Sequence, residues 1–289
     1  MIPSLSFKVT NGGMPMVQLI ASDLDDTLLR DDLTISLENK QAVQAVMAQN
    51  VVFTIATGRM FAAAAPYGSE LGLPKDQPII CYNGALIKRL SGETIYEAPL
   101  SVELGTRIVQ FGQERGWTVN AYYNDQLYVA EMNNEVESYL KLAQVPAHEV
   151  GDLVSFVRDG ERKLSKVLMI GTPEQTPGRI EEIRQEFGSA AQIVRSKAIY
   201  IEITRPDANK GRALRWLAES MGLTMEEVMA IGDSNNDVSM LKMAGIGVAV
   251  ANGVDSAKQA AKYLTTSNNE HGVAEAIQDF VLRPHAASL

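Results

Sequence analysis

The chain has 289 residues, enough for one large or two ordinary domains, and 46% of them are hydrophobic. Its net charge is −9, and it has no run of Lys and Arg. This balance argues against nucleic acid and an anionic membrane surface as partners, because both need a basic footprint. One cysteine excludes an internal disulfide and a cysteine-rich zinc site, and three widely separated histidines argue against a histidine-based one.

Residues 1–16 show no apolar stretch followed by a cleavage site, and no stretch of about 18 apolar residues follows. We therefore expect a disordered extension over 1–16 and a cytoplasmic location.

The first part of the chain after this extension predicts a parallel sheet. The predicted elements alternate strand and helix: VQLIAS (17–22), a helix over 36–50, VVFTIA (51–56), a helix-like stretch and PIICYNG (78–84). This order is typical of parallel strands with crossover helices.

The middle of the chain has a different pattern. Hairpins are predicted around Ser91-Gly92 and Asn124-Asp125, mixed with helices and with the strands SKVLMIG, AQIVRS and AIYIEIT. From Arg205 the α/β pattern returns and continues to a tail, RPHAASL, that we expect to be frayed. The prediction is an α/β fold. A Rossmann-like, doubly wound parallel-sheet core (17–87 and 203–289) carries an inserted α+β domain (88–202).

Polar side chains follow the predicted core strands at their carboxyl ends, where open α/β sheets bind ligands. These residues are Asp23-Leu24-Asp25, Thr57-Gly58, Asn83, and Asp233 with Asn236-Asp237. Lys210 opens a helix just upstream of the last group. We therefore expect a ligand site at this edge of the sheet.

The carboxylates in this set predict a magnesium site. Like charges within a few ångström repel, and one of them takes up a proton unless a cation offsets the charge. Mg²⁺ prefers oxygen ligands and uses one or two carboxylates together with substrate phosphate. Asp23 and Asp233 are well placed to be those carboxylates, and Mg²⁺ in turn implies a phosphorylated substrate.

The same residues suit phosphoryl transfer. An aspartate such as Asp23 can attack and form an aspartyl-phosphate. Asp25, two residues on, is placed to protonate the leaving oxygen and then to activate water, a role that needs a raised pKa. Thr57, backbone N–H groups and Lys210 would hold the transferring oxygens.

Four stretches carry a family resemblance. DLDDTLL, TIATGR, NKGRAL and GDSNNDVSML resemble, in this order, motifs one to four of the haloacid dehalogenase (HAD) superfamily. The inserted domain, CYNGALI and EHGVAEAI resemble its Cof-type phosphatases (subfamily IIB, C2B cap). The resemblance runs from about Met16 to Leu282. It departs at Asp26, where the family most often has Gly, and we expect this side chain to point away from the site.

The resemblance implies a role for each matched residue. Asp23 would be the nucleophile and a Mg²⁺ ligand, and Asp25 the acid/base and a ligand through its backbone carbonyl. Asp233 would bind Mg²⁺, with Asp237 supporting it from outside the coordination sphere. Lys210 would neutralise the phosphate and the nucleophile. Phosphate or substrate would also contact Leu24, Thr57, Gly58, Asn83 and Asn236. The inserted domain would be a cap that closes over the site and selects the leaving group.

The expected function is hydrolysis of small phosphomonoesters, such as sugar phosphates, by a Mg²⁺-dependent phosphatase with a phospho-aspartate intermediate. Two alternatives stay open. A phosphomutase would return the phosphoryl group to a substrate hydroxyl, and the large cap argues weakly against it. A non-enzymatic phosphate-binding or sensor module would retain the phosphate on Asp23. Asp25 argues against that module, because a fast hydrolase needs an acid/base two residues after its nucleophile. The sequence does not indicate an oligomeric state.

Overall fold

A computed structural model describes residues 16–283 of the chain. The predicted extension over 1–16 and the predicted frayed tail over 283–289 lie outside this range, apart from Met16 and Arg283. Within it, no helix is both long and apolar enough to cross a membrane. The strands, in chain order, are β1 (Leu19–Ser22), β2 (Val52–Ile55), β3 (Pro78–Cys81), β4 (Leu86–Arg89), β5 (Thr94–Glu97), β6 (Thr118–Tyr123), β7 (Gln126–Val129), β8 (Ala147–Glu149), β9 (Lys166–Ile170), β10 (Gln192–Lys197), β11 (Tyr200–Thr204), β12 (Val228–Gly232), β13 (Ile246–Val250) and β14 (Tyr263–Thr265).

The helices complete the description of the regular structure. They are α1 (Leu37–Ala48), α2 (Phe61–Glu70), α3 (Val102–Glu114), α4 (Asn134–Ala143), α5 (Leu153–Asp159), α6 (Thr176–Phe187), α7 (Lys210–Ser220), α8 (Val238–Met243), α9 (Asp255–Ala260) and α10 (Gly272–Ile277). Ser36 caps α1, because its side chain accepts a hydrogen bond from the backbone N–H of Asn39.

The chain divides into two compact units, each discontinuous in sequence. Within residues 16–283, the first unit comprises 16–56, Tyr67–Pro78 and 210–283. The second comprises Thr57–Pro66 and Ile79–Asn209. The predicted domain boundaries, at 87/88 and 202/203, stay predictions.

The first unit is built on a parallel sheet with the strand order β14-β13-β12-β1-β2. β1 is paired on both sides, with Leu19 opposite Val52 on one neighbour and opposite Val228 on the other. All residues of β1 and β12 are buried, as expected for parallel strands covered on both faces. This sheet fixes the positions at which the chain leaves β1 and β12.

The second unit contains a six-stranded sheet and a three-stranded sheet. The larger has the order β10-β11-β9-β6-β7-β8, antiparallel except for the β7/β8 pair, and the smaller has the order β3-β4-β5. Helices α3 and α6 pack near the larger sheet over an apolar core that includes Ile108, Val167, Ile183 and Ile201. The predicted combination of a parallel-sheet core with an α+β part is confirmed.

Four short elements were not predicted from the sequence pattern: β8, α5, α9 and β14. None of them exceeds seven residues. β8 and β14 contain no buried residue, and each is held by pairing with one neighbour, β7 and β13 respectively. Elements of this kind depend on tertiary pairing more than on local periodicity.

Candidate active site

Two loops of the first unit carry the acidic residues to the same edge of the parallel sheet. β1 and β12 are neighbours, with Ser22 opposite Ile231. Asp23 follows β1 directly and donates its backbone N–H to the Ile231 carbonyl at 2.9 Å. Asp233 follows β12 directly, and Asp237 lies four residues further on. One carboxylate oxygen from each of the three aspartates lies within 4.8 Å of the other two.

Lys210 lies among these carboxylates. It begins α7, is fully buried, and donates hydrogen bonds of 2.6 Å to Oδ1 of Asp23 and 2.6 Å to Oδ1 of Asp237. Burial favours the neutral amine and would lower the Lys210 pKa, but Asp23 and Asp237 outweigh it and the pKa is raised. Lys210 is therefore a permanent cation that holds two carboxylates in place.

Asp237 organises the loop after β12. Its Oδ2 accepts hydrogen bonds from the backbone N–H groups of Asp233 (3.0 Å) and Ser234 (2.9 Å), while its Oδ1 faces Lys210. Gly232 makes this approach possible, because a Cβ atom there would lie 2.6 Å from both Cβ and Cγ of Asp237. Asp237 thus links Lys210 to the backbone of the loop after β12, and its role as a supporting residue stays a prediction.

Burial and repulsion from neighbouring carboxylates shift the pKa values of Asp23 and Asp233. Burial raises the pKa of Asp23 well above its usual range, repulsion from Asp237 raises it further, and Lys210 offsets part of the rise. The same two causes raise the pKa of Asp233 to about 6. A hydrogen bond from the Thr27 hydroxyl to Asp233 Oδ1 (2.8 Å) acts in the opposite direction.

This donor set fits a magnesium ion. Three buried carboxylates share one lysine, so negative charge stays in excess until a further cation binds. All three offer hard oxygen ligands, which Mg²⁺ prefers over nitrogen and sulfur. Within residues 16–283, Asp23, Asp233 and Asp237 form the candidate group of ligands, and it includes both aspartates predicted to bind the metal through their side chains.

The turn after β1 contains the remaining acidic residues of the first motif. Asp25 is half-buried with extended backbone (φ −72°, ψ 133°), and Leu24 before it is fully buried. Asp26 has a left-handed backbone (φ 58°, ψ 10°) and an exposed side chain, and its carbonyl accepts a hydrogen bond from Asn252 Nδ2 at 2.7 Å. Glycine adopts this conformation most easily, and aspartate is one of the few other residues that visit it. The exposure agrees with the expected direction of the Asp26 side chain.

The loop after β2 belongs to the second unit and contains the predicted phosphate-binding residues Thr57 and Gly58. Thr57 is buried, donates its backbone N–H to the Ile80 carbonyl at 2.8 Å, and accepts the backbone N–H of Asn83 at its own carbonyl at 3.0 Å. Asn83, with φ 56°, donates its side-chain amide to Glu202 Oε2 at 2.7 Å.

The predicted site residues therefore fall into two sets. The first unit carries Asp23, Leu24, Asp25, Lys210, Asp233, Asn236 and Asp237, and the second carries Thr57, Gly58 and Asn83. Asn236 is half-buried, and its Oδ1 accepts a hydrogen bond from the Ser234 hydroxyl at 2.5 Å. The assembly of both sets into one catalytic site stays a prediction.

Sequence reasoning missed three residues that contact these sets. Thr27, in the turn after β1, bonds Asp233, while Lys166 and Glu202 contact Gly58 and Asn83. The available signal was a single charged residue within each of two strands that otherwise read as apolar, SKVLMIG and AIYIEIT. A charge inside a buried strand requires a partner.

Comparison with known proteins identifies the family to which the chain is similar. A family model described as haloacid dehalogenase-like hydrolase matches residues 20–277. The chain is 34% identical over 275 residues to YxeH of Bacillus subtilis, covering 92% of this chain and 99% of that protein. It is 32% identical over 266 residues to the 5-amino-6-(5-phospho-D-ribitylamino)uracil phosphatase YcsE of Bacillus subtilis, covering 92% and 96%. A solved haloacid dehalogenase-like hydrolase from Bacteroides thetaiotaomicron is 29% identical with a TM-score of 0.81, covering 91% and 98%.

Proposed function

The chain belongs to the haloacid dehalogenase-like hydrolases, and from that premise we propose a Mg²⁺-dependent phosphatase that acts on small phosphomonoesters through a phosphorylated Asp23. The observation that carries the proposal is the buried Lys210, which bonds both Asp23 and Asp237 beside Asp233 at the carboxyl edge of a parallel sheet. The family and the class of enzyme, a hydrolase, were predicted from the four motifs and are confirmed.

In the first half-reaction, a carboxylate oxygen of Asp23 attacks phosphorus, and the bond from phosphorus to the ester oxygen breaks. Asp25 donates a proton to that leaving oxygen, so the alcohol departs neutral. Lys210 favours the ionised form of Asp23 and would offset charge on the transferring oxygens. Thr57, Gly58, Asn236 and the backbone at Leu24 would hold the phosphoryl oxygens.

In the second half-reaction, water attacks phosphorus of the aspartyl-phosphate. Asp25, now ionised, takes a proton from that water. The bond between phosphorus and the Asp23 oxygen breaks, releasing inorganic phosphate and restoring the carboxylate.

Asp23 and Asp233 would hold Mg²⁺ through their carboxylates, with the backbone carbonyl of Asp25 as a further ligand. When bound, the ion neutralises negative charge on the phosphoryl group and orients it toward the nucleophile. Asp237 would keep Asp233 and Lys210 in place through the hydrogen bonds described above.

The substrate class is a small phosphorylated metabolite, probed first with sugar and polyol phosphates. YcsE, the relative at 32% identity, is named for a substrate whose phosphate ester lies on a ribityl chain. Asn83, in the set around Thr57 and Gly58, is a further substrate-contact candidate.

The test measures phosphate release from a panel of sugar phosphates, polyol phosphates, 5-amino-6-(5-phospho-D-ribitylamino)uracil and p-nitrophenyl phosphate, with Mg²⁺ and with EDTA. Asp23→Asn is expected to abolish release. Asp26→Asn is the matched control, because it makes the same chemical change at an exposed position three residues away and should retain activity.

Release that requires both Mg²⁺ and Asp23 supports the proposal. Wild-type turnover by Asp23→Asn would remove Asp23 as the nucleophile. A phosphorylated product without free phosphate would indicate a phosphomutase, and stable phosphorylation of Asp23 without turnover would indicate a sensor.

A further inference from the structure

The second unit contains a buried ion pair that the proposed chemistry does not use. Lys166 on β9 and Glu202 on β11 are only 2% and 6% exposed, and their Nζ and Oε2 atoms lie 3.4 Å apart. Removing two charges from water is costly, and a buried pair often adds nothing net to stability. The burial of this pair therefore indicates a role other than stability.

Lys166 bonds the loop after β2 that carries Thr57 and Gly58, and Glu202 bonds Asn83 in the turn after β3. Lys166 Nζ donates to the carbonyl oxygen of Gly58 at 2.8 Å, and Glu202 Oε2 accepts from the side-chain amide of Asn83 at 2.7 Å. Gly58 fits tightly here, because a Cβ atom would lie 3.0 Å from Asn83 Oδ1 and 3.4 Å from Glu202 Oε2. From two neighbouring strands of the larger sheet, Lys166 thus holds Gly58 and Glu202 holds Asn83 beside it.

The Gly58 carbonyl matters because it shares a planar peptide unit with the Arg59 N–H. Fixing the direction of the carbonyl fixes the direction of that N–H, which donates to Oγ1 of Thr57 at 3.1 Å. Since the hydroxyl oxygen accepts this bond, Thr57 keeps its own hydrogen for donation to another acceptor. The chain of contacts from Lys166 therefore ends on the hydroxyl predicted to bind phosphate.

Lys166 is almost completely enclosed by protein groups. Its ammonium group lies 4.8 Å from the ring centroid of Tyr122 and 5.6 Å from that of Tyr82, in addition to its bonds to Gly58 and Glu202. Aromatic faces at these distances stabilise a desolvated cation. The surroundings hold the ammonium in one place, as a positioning residue requires.

We propose that Lys166, paired with Glu202, is a positioning residue that orients the Thr57 hydroxyl toward the phosphoryl group by fixing the Gly58–Arg59 peptide. The inference rests on the proposed function, since it assigns Thr57 to the phosphate. On this inference, strands of the inserted region contribute to catalysis by positioning Thr57, and this contribution does not depend on the identity of the leaving group.

The test is a double-mutant cycle between Lys166→Met and Thr57→Val, with kcat/KM measured on several esters and with inhibition by inorganic phosphate. Lys166→Met is expected to lower kcat/KM by about 100-fold, the size expected from misplacing a contact by about 1 Å. The loss should be similar for every ester, and inhibition by phosphate should weaken in parallel. In the Thr57→Val variant, Lys166→Met should lower kcat/KM by less than about fivefold, because the two residues act through one contact.

Lys163→Met is the matched control, since Lys163 is exposed and only three residues away, and it should leave both readouts unchanged. Lys166→Met leaves Glu202 with an unpaired buried charge, so thermal unfolding is recorded for each variant. If it does not fold, Lys166→Met/Glu202→Gln replaces it, because glutamine keeps an acceptor for Asn83 without the charge.

Additive losses in the cycle would overturn the inference, as would unchanged kinetics or failure of the replacement variant to fold. A loss confined to particular esters would instead make Lys166 a leaving-group contact. These outcomes leave the proposed function intact, because wild-type turnover that requires Asp23 is established separately. Absence of any Asp23-dependent turnover by the wild type would overturn both.

Discussion

Replacing Asp233 by asparagine is expected to stabilise the metal-free protein at neutral pH, the opposite of most substitutions at buried polar sites. Burial and Asp237 raise the pKa of Asp233 from 3.8 to about 6. When the pKa of a carboxyl group is higher in the folded chain than in the unfolded chain, protonation of that group stabilises the folded state. Its ionisation therefore destabilises the fold progressively between these two values, and the full cost is present above about pH 6.

The magnitude follows from the shift. A rise of roughly two pKa units corresponds to about 3 kcal/mol, which is the upper limit of the expected gain. Asparagine removes the charge but keeps an acceptor oxygen for the Thr27 hydroxyl, which lies 2.8 Å from Asp233 Oδ1. We expect a gain of about 1–3 kcal/mol, seen as a rise in Tm of several degrees.

The assay is thermal unfolding in EDTA at a series of pH values from 4 to 8, repeated with Mg²⁺. In EDTA, the advantage of Asp233→Asn should shrink as the pH falls toward 4, where the wild-type carboxyl becomes protonated. With Mg²⁺, wild type should gain stability as a ligand-binding protein does, and the variant should gain less. Mg²⁺ should also bind wild type more tightly as the pH rises through about 6, because the ion competes with the proton on Asp233.

Asp237→Asn is the matched control, since it removes the same charge from the same cluster. The Asp237 carboxylate accepts hydrogen bonds from Lys210, from the Asp233 N–H and from the Ser234 N–H. An amide has one acceptor oxygen and would turn its NH₂ group toward donors, so this variant should lose stability. A fall in Tm for Asp233→Asn at pH 8 in EDTA, equal to that of Asp237→Asn, would refute the reasoning.

Two further predictions concern the supports of the two sets of site residues. Gly232→Ala should lower stability by about 1–3 kcal/mol in chemical unfolding and weaken Mg²⁺ binding, because its Cβ would overlap Asp237. Gly178→Ala, in open space on α6, should be neutral or slightly stabilising, and an equal loss in both would contradict this account. Asp125→Ala should cost about 1–2 kcal/mol, since this carboxylate accepts the first N–H groups of α2 at 2.8 and 3.0 Å. Unchanged unfolding of that variant would remove its capping role.

The strands of the parallel sheet were predictable because each is a short apolar run bounded by polar residues. β1 lies inside the predicted run VQLIAS and is buried throughout. β8 and β14 were missed because their residues are partly or fully exposed and their pairing is tertiary. Local periodicity carries no information on such pairing.

The acidic residues of the site were predictable for a related reason. Carboxylates directly after buried strands can be located from the sequence, and Asp23 and Asp233 lie where the strands predicted them. The environment of Lys210 could not be read locally, because a lysine opening a helix is usually solvated. Its two partners are 187 and 27 residues away in the chain. Lys166 and Glu202 were missed because their partners, Gly58 and Asn83, come from another part of the chain.

The order of the strands affects how the protein folds during its synthesis on the ribosome. β1 needs β12 as a neighbour, and roughly 200 residues separate them, so at about 5–20 residues per second β12 emerges roughly 10–40 s after β1. Meanwhile Ile79–Asn209, the greater part of the second unit, is already synthesised. The apolar strand β1 must wait for β12, its neighbour on the side opposite β2, which leaves it open to chaperone binding. A chain interrupted before Lys210 would carry Asp23 without the lysine that holds it.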